Sequence, residues 1–171
     1  MKRSGSDRWV RRAGFVLGLT VAAGVLVAAR VPAGPHGLGL DLTVVPAPTS
    51  KLTLRPGGPI LTATGLRPGG GSAGRLTLVN PASRTQLVRV TALPSSHDLD
   101  LALMIEVTLD GRRLYSGPLG GLRGPTRPAA IQSGDGLPLQ VRVWLPPSAA
   151  GWRGHTEDLT LSFDSAPVAR R

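Results

Sequence analysis

The chain has 171 residues, no cysteine and a formal net charge of +10, so disulfides, zinc–thiolate centres and thiol catalysis are excluded. The charge raises the question of nucleic acid, but Lys2, Arg3, Arg8, Arg11, Arg12 and Arg30 all flank one apolar segment, and from Val31 on 14 basic residues stand against 9 acidic ones. The remaining arginines are scattered and have no aromatic stacking platform beside them, which argues against a nucleic-acid partner.

Residues 1–12 form a basic n-region, and Ala13–Ala29 runs for 17 residues without a charge. At 1.5 Å per residue this spans roughly 26 Å, short for a full bilayer crossing and slightly long for the apolar region of a signal peptide. Small residues follow, with cleavage positions after Ala28, Ala29 or Ala33. Residues 1–30 therefore read as a signal peptide or membrane anchor, an apolar export helix that engages the membrane. The basic end would stay in the cytoplasm and the rest would lie outside. Val31–Gly39 reads as a flexible linker, 40–167 as the folded domain and 168–171 as a tail.

Leu40–Val45 alternates and predicts a first strand. Lys51–Leu54 predicts a short second one, and Pro59–Ala63 leads into a Gly/Pro turn over Leu66–Gly71. Arg75–Val79 and Gln86–Leu93 follow as strands. In Leu101–Leu109 the apolar residues Leu101, Leu103, Ile105, Val107 and Leu109 stand at every second position, the period of a strand with one buried face. Asp110-Gly111 then suits a type I′ turn, which sets Val107 opposite Leu114 and Glu106 opposite Tyr115. Gly117–Gly136 reads as a long loop. Leu139, Val141, Val143 and Leu145 alternate with Gln140, Arg142 and Trp144 facing outward, and Leu159, Leu161 and Phe163 mark a last strand. No helix is expected after Ala29. Eight or so short strands with turns between them predict an all-β domain, a two-sheet β-sandwich rather than a barrel. Leu76, Leu78, Val88, Val90, Ile105, Val107, Leu114, Val141, Val143, Leu159, Leu161 and Phe163 are its expected core.

No residue cluster declares a chemistry. Gly69–Gly74 fits both G-x-G-x-x-G and G-x-S-x-G, but each of those motifs needs a strand before it and a helix after. Here a strand follows. None of His36, His97 and His155 begins H-E-x-x-H. His97, Asp98 and Asp100, with His155 and Glu157, are the candidate metal ligands, and exposed loop histidines beside solvated carboxylates are the plainer alternative. Tyr115, Trp144 and Trp152 are candidates for stacking on sugars. No cofactor is called for.

The ordered series LDLTV (Leu40–Val44), GLRPGG (Gly65–Gly70), a hairpin at Asp110-Gly111, LYSGPL (Leu114–Leu119), VRVWLP (Val141–Pro146) and a closing strand ending at Phe163 resembles the TasA/camelysin (CalY) family of bacterial exported proteins. The resemblance covers Leu40–Pro167. It implies a jelly-roll β-sandwich and a place at the cell surface or in a biofilm matrix. Part of that family carries a metallopeptidase label, for which no motif here provides a counterpart. The leading expectation is an exported, non-enzymatic structural protein that self-associates by strand addition at sheet edges. Leu40, Leu42 and Val44 would be the side chains of the assembly strand. The alternatives are a camelysin-type metalloprotease and a carbohydrate-binding module of the cell wall.

Overall fold

The computed structural model describes residues 39–47, 51–94, 97–149 and 151–169. The export segment, His36 and most of the linker lie outside them. The described residues form a two-sheet β-sandwich. One sheet runs β3 (Leu61–Leu66), β1 (Leu40–Pro46), β10 (Thr156–Pro167), β5 (Gln86–Ala92), β8 (Ala129–Ile131). The other runs β2 (Thr53–Arg55), β4 (Gly71–Val79), β9 (Gly136–Trp144), β6 (Met104–Leu109), β7 (Arg112–Pro118). Neighbouring strands pair antiparallel except β1 and β10, which lie parallel. A short helix, α1 (His97–Ala102), and a 3-10 helix over Leu119–Arg123 complete the set.

The core follows from period 2. Leu139, Val141 and Val143 on β9 meet Ile105, Val107 and Leu109 on β6, and opposite them lie Val88 and Val90 on β5 and Leu159, Leu161 and Phe163 on β10. All twelve expected core side chains are buried, Leu114 being the most exposed of them at 7%. Each aliphatic side chain taken from water contributes on the order of 1.5–3 kcal/mol, which lets an aromatic-poor domain hold together on Leu and Val.

Four expectations need correction. The first concerns 101–109, where the strand begins only at Met104 and α1 occupies the preceding residues. Leu99 and Leu103 are both fully buried, while Leu101 between them is 70% exposed. A helical spacing of four aligns Leu99 with Leu103 on one face, and the Leu103 N–H donates to the Leu99 carbonyl at 2.9 Å. Asp98 and Asp100 in the first turn suit the positive end of the helix.

The second concerns hairpin register. Asp110 (φ 51°) and Gly111 (φ 74°) make the expected turn, and Leu109 pairs with Arg112 and Thr108 with Arg113. Then the register shifts, so that Val107 pairs with Tyr115 and Glu106 with Ser116. Leu114 is the extra residue of a β-bulge, which keeps its side chain in the core while re-aiming Tyr115. The Tyr115 hydroxyl donates to the Pro118 carbonyl at 2.5 Å.

The third concerns the start of β4, which lies at Gly71, inside the expected Leu66–Gly71 turn, rather than at Arg75. A Cβ on Gly74, within that added stretch, would stand 1.9 Å from the Ile60 carbonyl oxygen, so this glycine serves the close passage of β4 against the entry to β3. The fourth concerns 117–136, which holds the end of β7, the 3-10 helix and β8 rather than loop alone.

The expected donor strand is an interior one: β1 pairs on both sides, with β3 and β10, and Leu40, Leu42 and Val44 are at most 1% exposed. The sheet edges fall elsewhere. β2 and β8 have three residues each. β7 opens with exposed Arg112 and Arg113, carries the bulge and ends at Pro118. β3 packs against β4 of the other sheet. Short, bulged and charged edges discourage pairing with another chain.

Candidate functional site

Four connections meet at the end of the sandwich where β1 begins. Gly39 enters β1 there, and its carbonyl accepts the Gly154 N–H at 3.0 Å. The Asp41 N–H donates to the His155 carbonyl at 2.9 Å, which seats the β9–β10 connection beside β1. The β3–β4 turn is tied to the same connection by Gly69 N–H to the Leu145 carbonyl, 2.8 Å, and Leu145 N–H to the Gly70 carbonyl, 3.1 Å. An Asp41 carboxylate oxygen accepts the Gly65 N–H at 2.7 Å and holds that turn in place. Helix α1 supplies the fourth wall.

Two adjoining clefts result. The first, about 690 Å³, is lined by Asp98, Leu101, Ser148, Trp152, His155 and Glu157 among others. The second, about 500 Å³, is lined by Leu66, Arg67, Pro147, Trp152 and Arg153 among others. Trp152, Ala149 and Gly151 line both. Trp152 is half-buried and packs against the core, so its indole is held by the domain while part of it faces the clefts. The His155 ring meets it edge-on, with centroids 5.5 Å apart and planes at 64°.

The candidate metal ligands separate. Asp98, His155 and Glu157 line the first cleft. Asp100 is engaged elsewhere: Arg123 Nε donates to one of its carboxylate oxygens at 2.9 Å and Nη2 contacts the other. Arg123 also donates to the Leu93 carbonyl. His97 opens α1, and its side chain lies outside the described residues. Among the described residues no three His, Cys, Asp or Glu groups are placed to hold a metal ion.

Trp144 faces outward on β9, as its alternation predicts, but its ring already carries a cation: the Arg142 guanidinium carbon lies 5.6 Å from the ring centroid. Its cross-strand neighbours are Gly71 and Met104. Trp152, by contrast, stands between two cavities. Tyr115 is occupied with Pro118, and burial raises its pKa above the ordinary value.

Three contributors escape the sequence reading: Arg67, Arg153 and Leu101. The signal for the first two is their placement in tight connections, Leu66–Gly70 and Trp152–His155, that the strands force together. For Leu101 the signal is the spacing of Leu99 and Leu103. Chemically the arrangement offers an aromatic surface with carboxylates and an imidazole on one side and guanidiniums on the other. It suits binding of an extended polar molecule. No helix among the described residues is long and apolar enough to cross a membrane. No protein-family model and no curated protein matches the chain.

Proposed function

We propose that this chain is an exported, non-enzymatic protein of the cell surface or matrix, and that its sandwich binds an extracellular glycan at the Trp152 end. The observation that carries this is Trp152 itself: one half-buried indole lining two adjoining clefts of about 690 and 500 Å³. Pyranose rings present C–H faces that pack on aromatic rings, while their hydroxyls need donors and acceptors around the rim. Ser148, His155 and Glu157 meet that need on one side and Arg67 and Arg153 on the other. Export is supported by the basic-then-apolar order of residues 1–29. A jelly-roll relation to the TasA/camelysin family rests on the residue series over Leu40–Pro167. Structural assembly at sheet edges has less support, because β1 is interior and the edges are short, charged or bulged.

The test is co-sedimentation of the full chain with insoluble wall polysaccharide and chitin, beside Trp152→Ala. Retention of the parent chain and at least tenfold weaker retention of the variant is expected, both assayed well below the variant's melting temperature because Trp152 also packs against the core. Equal retention of both, or none of either, overturns the proposal. Mass spectrometry of the N-terminus from culture medium and membranes tests the export half separately.

A further inference from the structure

The two clefts differ in charge, and the difference is sorted by side. Among the described lining residues of the first, the charged ones are Asp98 and Glu157, with His155 beside them. Among those of the second they are Arg67 and Arg153, and no carboxylate lines that cleft. Trp152 stands on the boundary, lining both. We infer that the clefts act as one bipolar site whose glycan carries an acidic group on one sugar and a free amine on its neighbour. This rests on the glycan reading of Trp152 and adds the ligand's charge pattern.

The physical case is one of complementarity and its converse. Arg67 and Arg153 are exposed, and a guanidinium fork matches a carboxylate or phosphate with two parallel hydrogen bonds. Asp98 is exposed in the opposite cleft and favours an ammonium. A uniform polyanion laid across Trp152 would gain at the arginines and lose at Asp98 and Glu157. A uniform polycation would do the reverse. Like charges set against one another in a binding site cost affinity, and this is how a site rejects near relatives of its ligand. A neutral glycan would have the stacking surface alone. Only a chain that alternates sign gains on both sides of the indole.

Isothermal titration of the full chain would use four soluble hexasaccharides. These are N-deacetylated hyaluronan (carboxylate and amine), intact hyaluronan (carboxylate only), chitosan (amine only) and chitin (neither). The N-deacetylated hexamer is expected to bind at least tenfold tighter than the other three at low salt, with the advantage shrinking as salt is raised. Arg67→Gln with Arg153→Gln should abolish its advantage over chitosan, and Asp98→Asn should narrow its advantage over intact hyaluronan. These three positions are exposed, so the variants keep the fold, which a thermal melt checks. Binding of chitin as tight as that of the N-deacetylated hexamer, lost in Trp152→Ala but unaffected by the charge variants, would overturn the bipolar site and leave glycan binding intact. Failure of all four hexamers to bind would overturn both.

Discussion

Arg123 grips both carboxylate oxygens of Asp100 and reaches the Leu93 carbonyl as well, fastening the 3-10 helix to α1 and to the end of β5. Both partners are mostly buried, with side-chain exposures of 23% and 18%. The pair explains how a six-residue helix, too short to stand alone in water, keeps a fixed attitude and presents Asp98 and Leu101 to the first cleft. It also explains why Asp100, a plausible ligand by spacing, is unavailable to one.

Arg123→Gln should therefore loosen α1. Removing one partner of a hydrogen-bonded, largely buried charge pair costs on the order of 1–3 kcal/mol. A lower denaturant midpoint and faster amide exchange over 97–103 are expected. Unchanged exchange there would show that the pair does not hold the helix.

Asn80 is fully buried at the exit of β4, and its amide nitrogen lies within 3.0 Å of the Arg84, Ile131 and Gln132 carbonyls. Its side-chain oxygen accepts the Ala82 N–H at 3.1 Å. Asn80→Ala strands the Ile131 carbonyl, the one of these partners whose bond is fully buried, and should cost about 1–3 kcal/mol, the cost of one buried group left unsatisfied. Asn80→Asp should cost more, because it turns acceptors toward acceptors. Urea melts of the three proteins decide the order.

Gly74→Ala drives a methyl into the Ile60 carbonyl, where backbone must move. The expected loss is about 2–3 kcal/mol, at the upper end of overpacking effects. Gly57→Ala is the control: nothing lies within 4 Å of the added carbon, and the change should be neutral or stabilising by up to about 1 kcal/mol. Equal melting temperatures for the two would refute the close-passage account of Gly74.

Tyr115 is the sole tyrosine of the chain. Burial raises its pKa above 10.0, so the folded state holds the phenolic proton more tightly than the unfolded chain does. Stability from this source is fully present below pH 10 and falls as pH rises from there through the folded pKa. Tyr115→Phe should cost about 0.5–1 kcal/mol at neutral pH, from the lost bond to Pro118, and should lose part of the alkaline fall. Ultraviolet titration reads the one phenol directly; a midpoint at or below 10 would contradict the shift.

Thr43 lies mid-strand in β1, facing Thr62 on one side and Asp158 on the other. Thr43→Pro removes a ladder donor and should destabilise the monomer by about 3 kcal/mol or more. Light scattering of the parent chain should report a monomer. Assembly of the parent, lost in the variant while its melt stays unchanged, would restore β1 as a donor strand.

The strands were legible because a sheet with one wet face must alternate, and β5, β9 and β10 do so cleanly. Helix α1 was hidden by the same rule: Leu99, Leu101, Leu103 and Ile105 alternate without a break, and the helical spacing of four from Leu99 to Leu103 is also two steps of that alternation. The bulge at Leu114 was invisible because Val107 and Leu114 face the core in either register. Strand β8, three residues of Ala and Ile, is shorter than any pattern. Trp152 stood out as an aromatic in a polar connection. Arg67 and Arg153 did not, since single arginines carry no contrast in a chain with this many. Their neighbourhood is made by the β3–β4 turn folding against the β9–β10 connection, a long-range event.

The parallel ladder between β1 and β10 has a consequence in time. The first strand of the domain is completed by the last, so a ribosome or pore delivering the chain from its N-terminus releases β1 long before its partner emerges. Loop-closure entropy must be met before that pairing rewards it, and such topologies fold slowly. Until β10 arrives, Leu40, Leu42 and Val44 stay uncovered on one side, an adhesive stretch for whatever passes. Truncation anywhere before Thr156 would make that transient condition permanent.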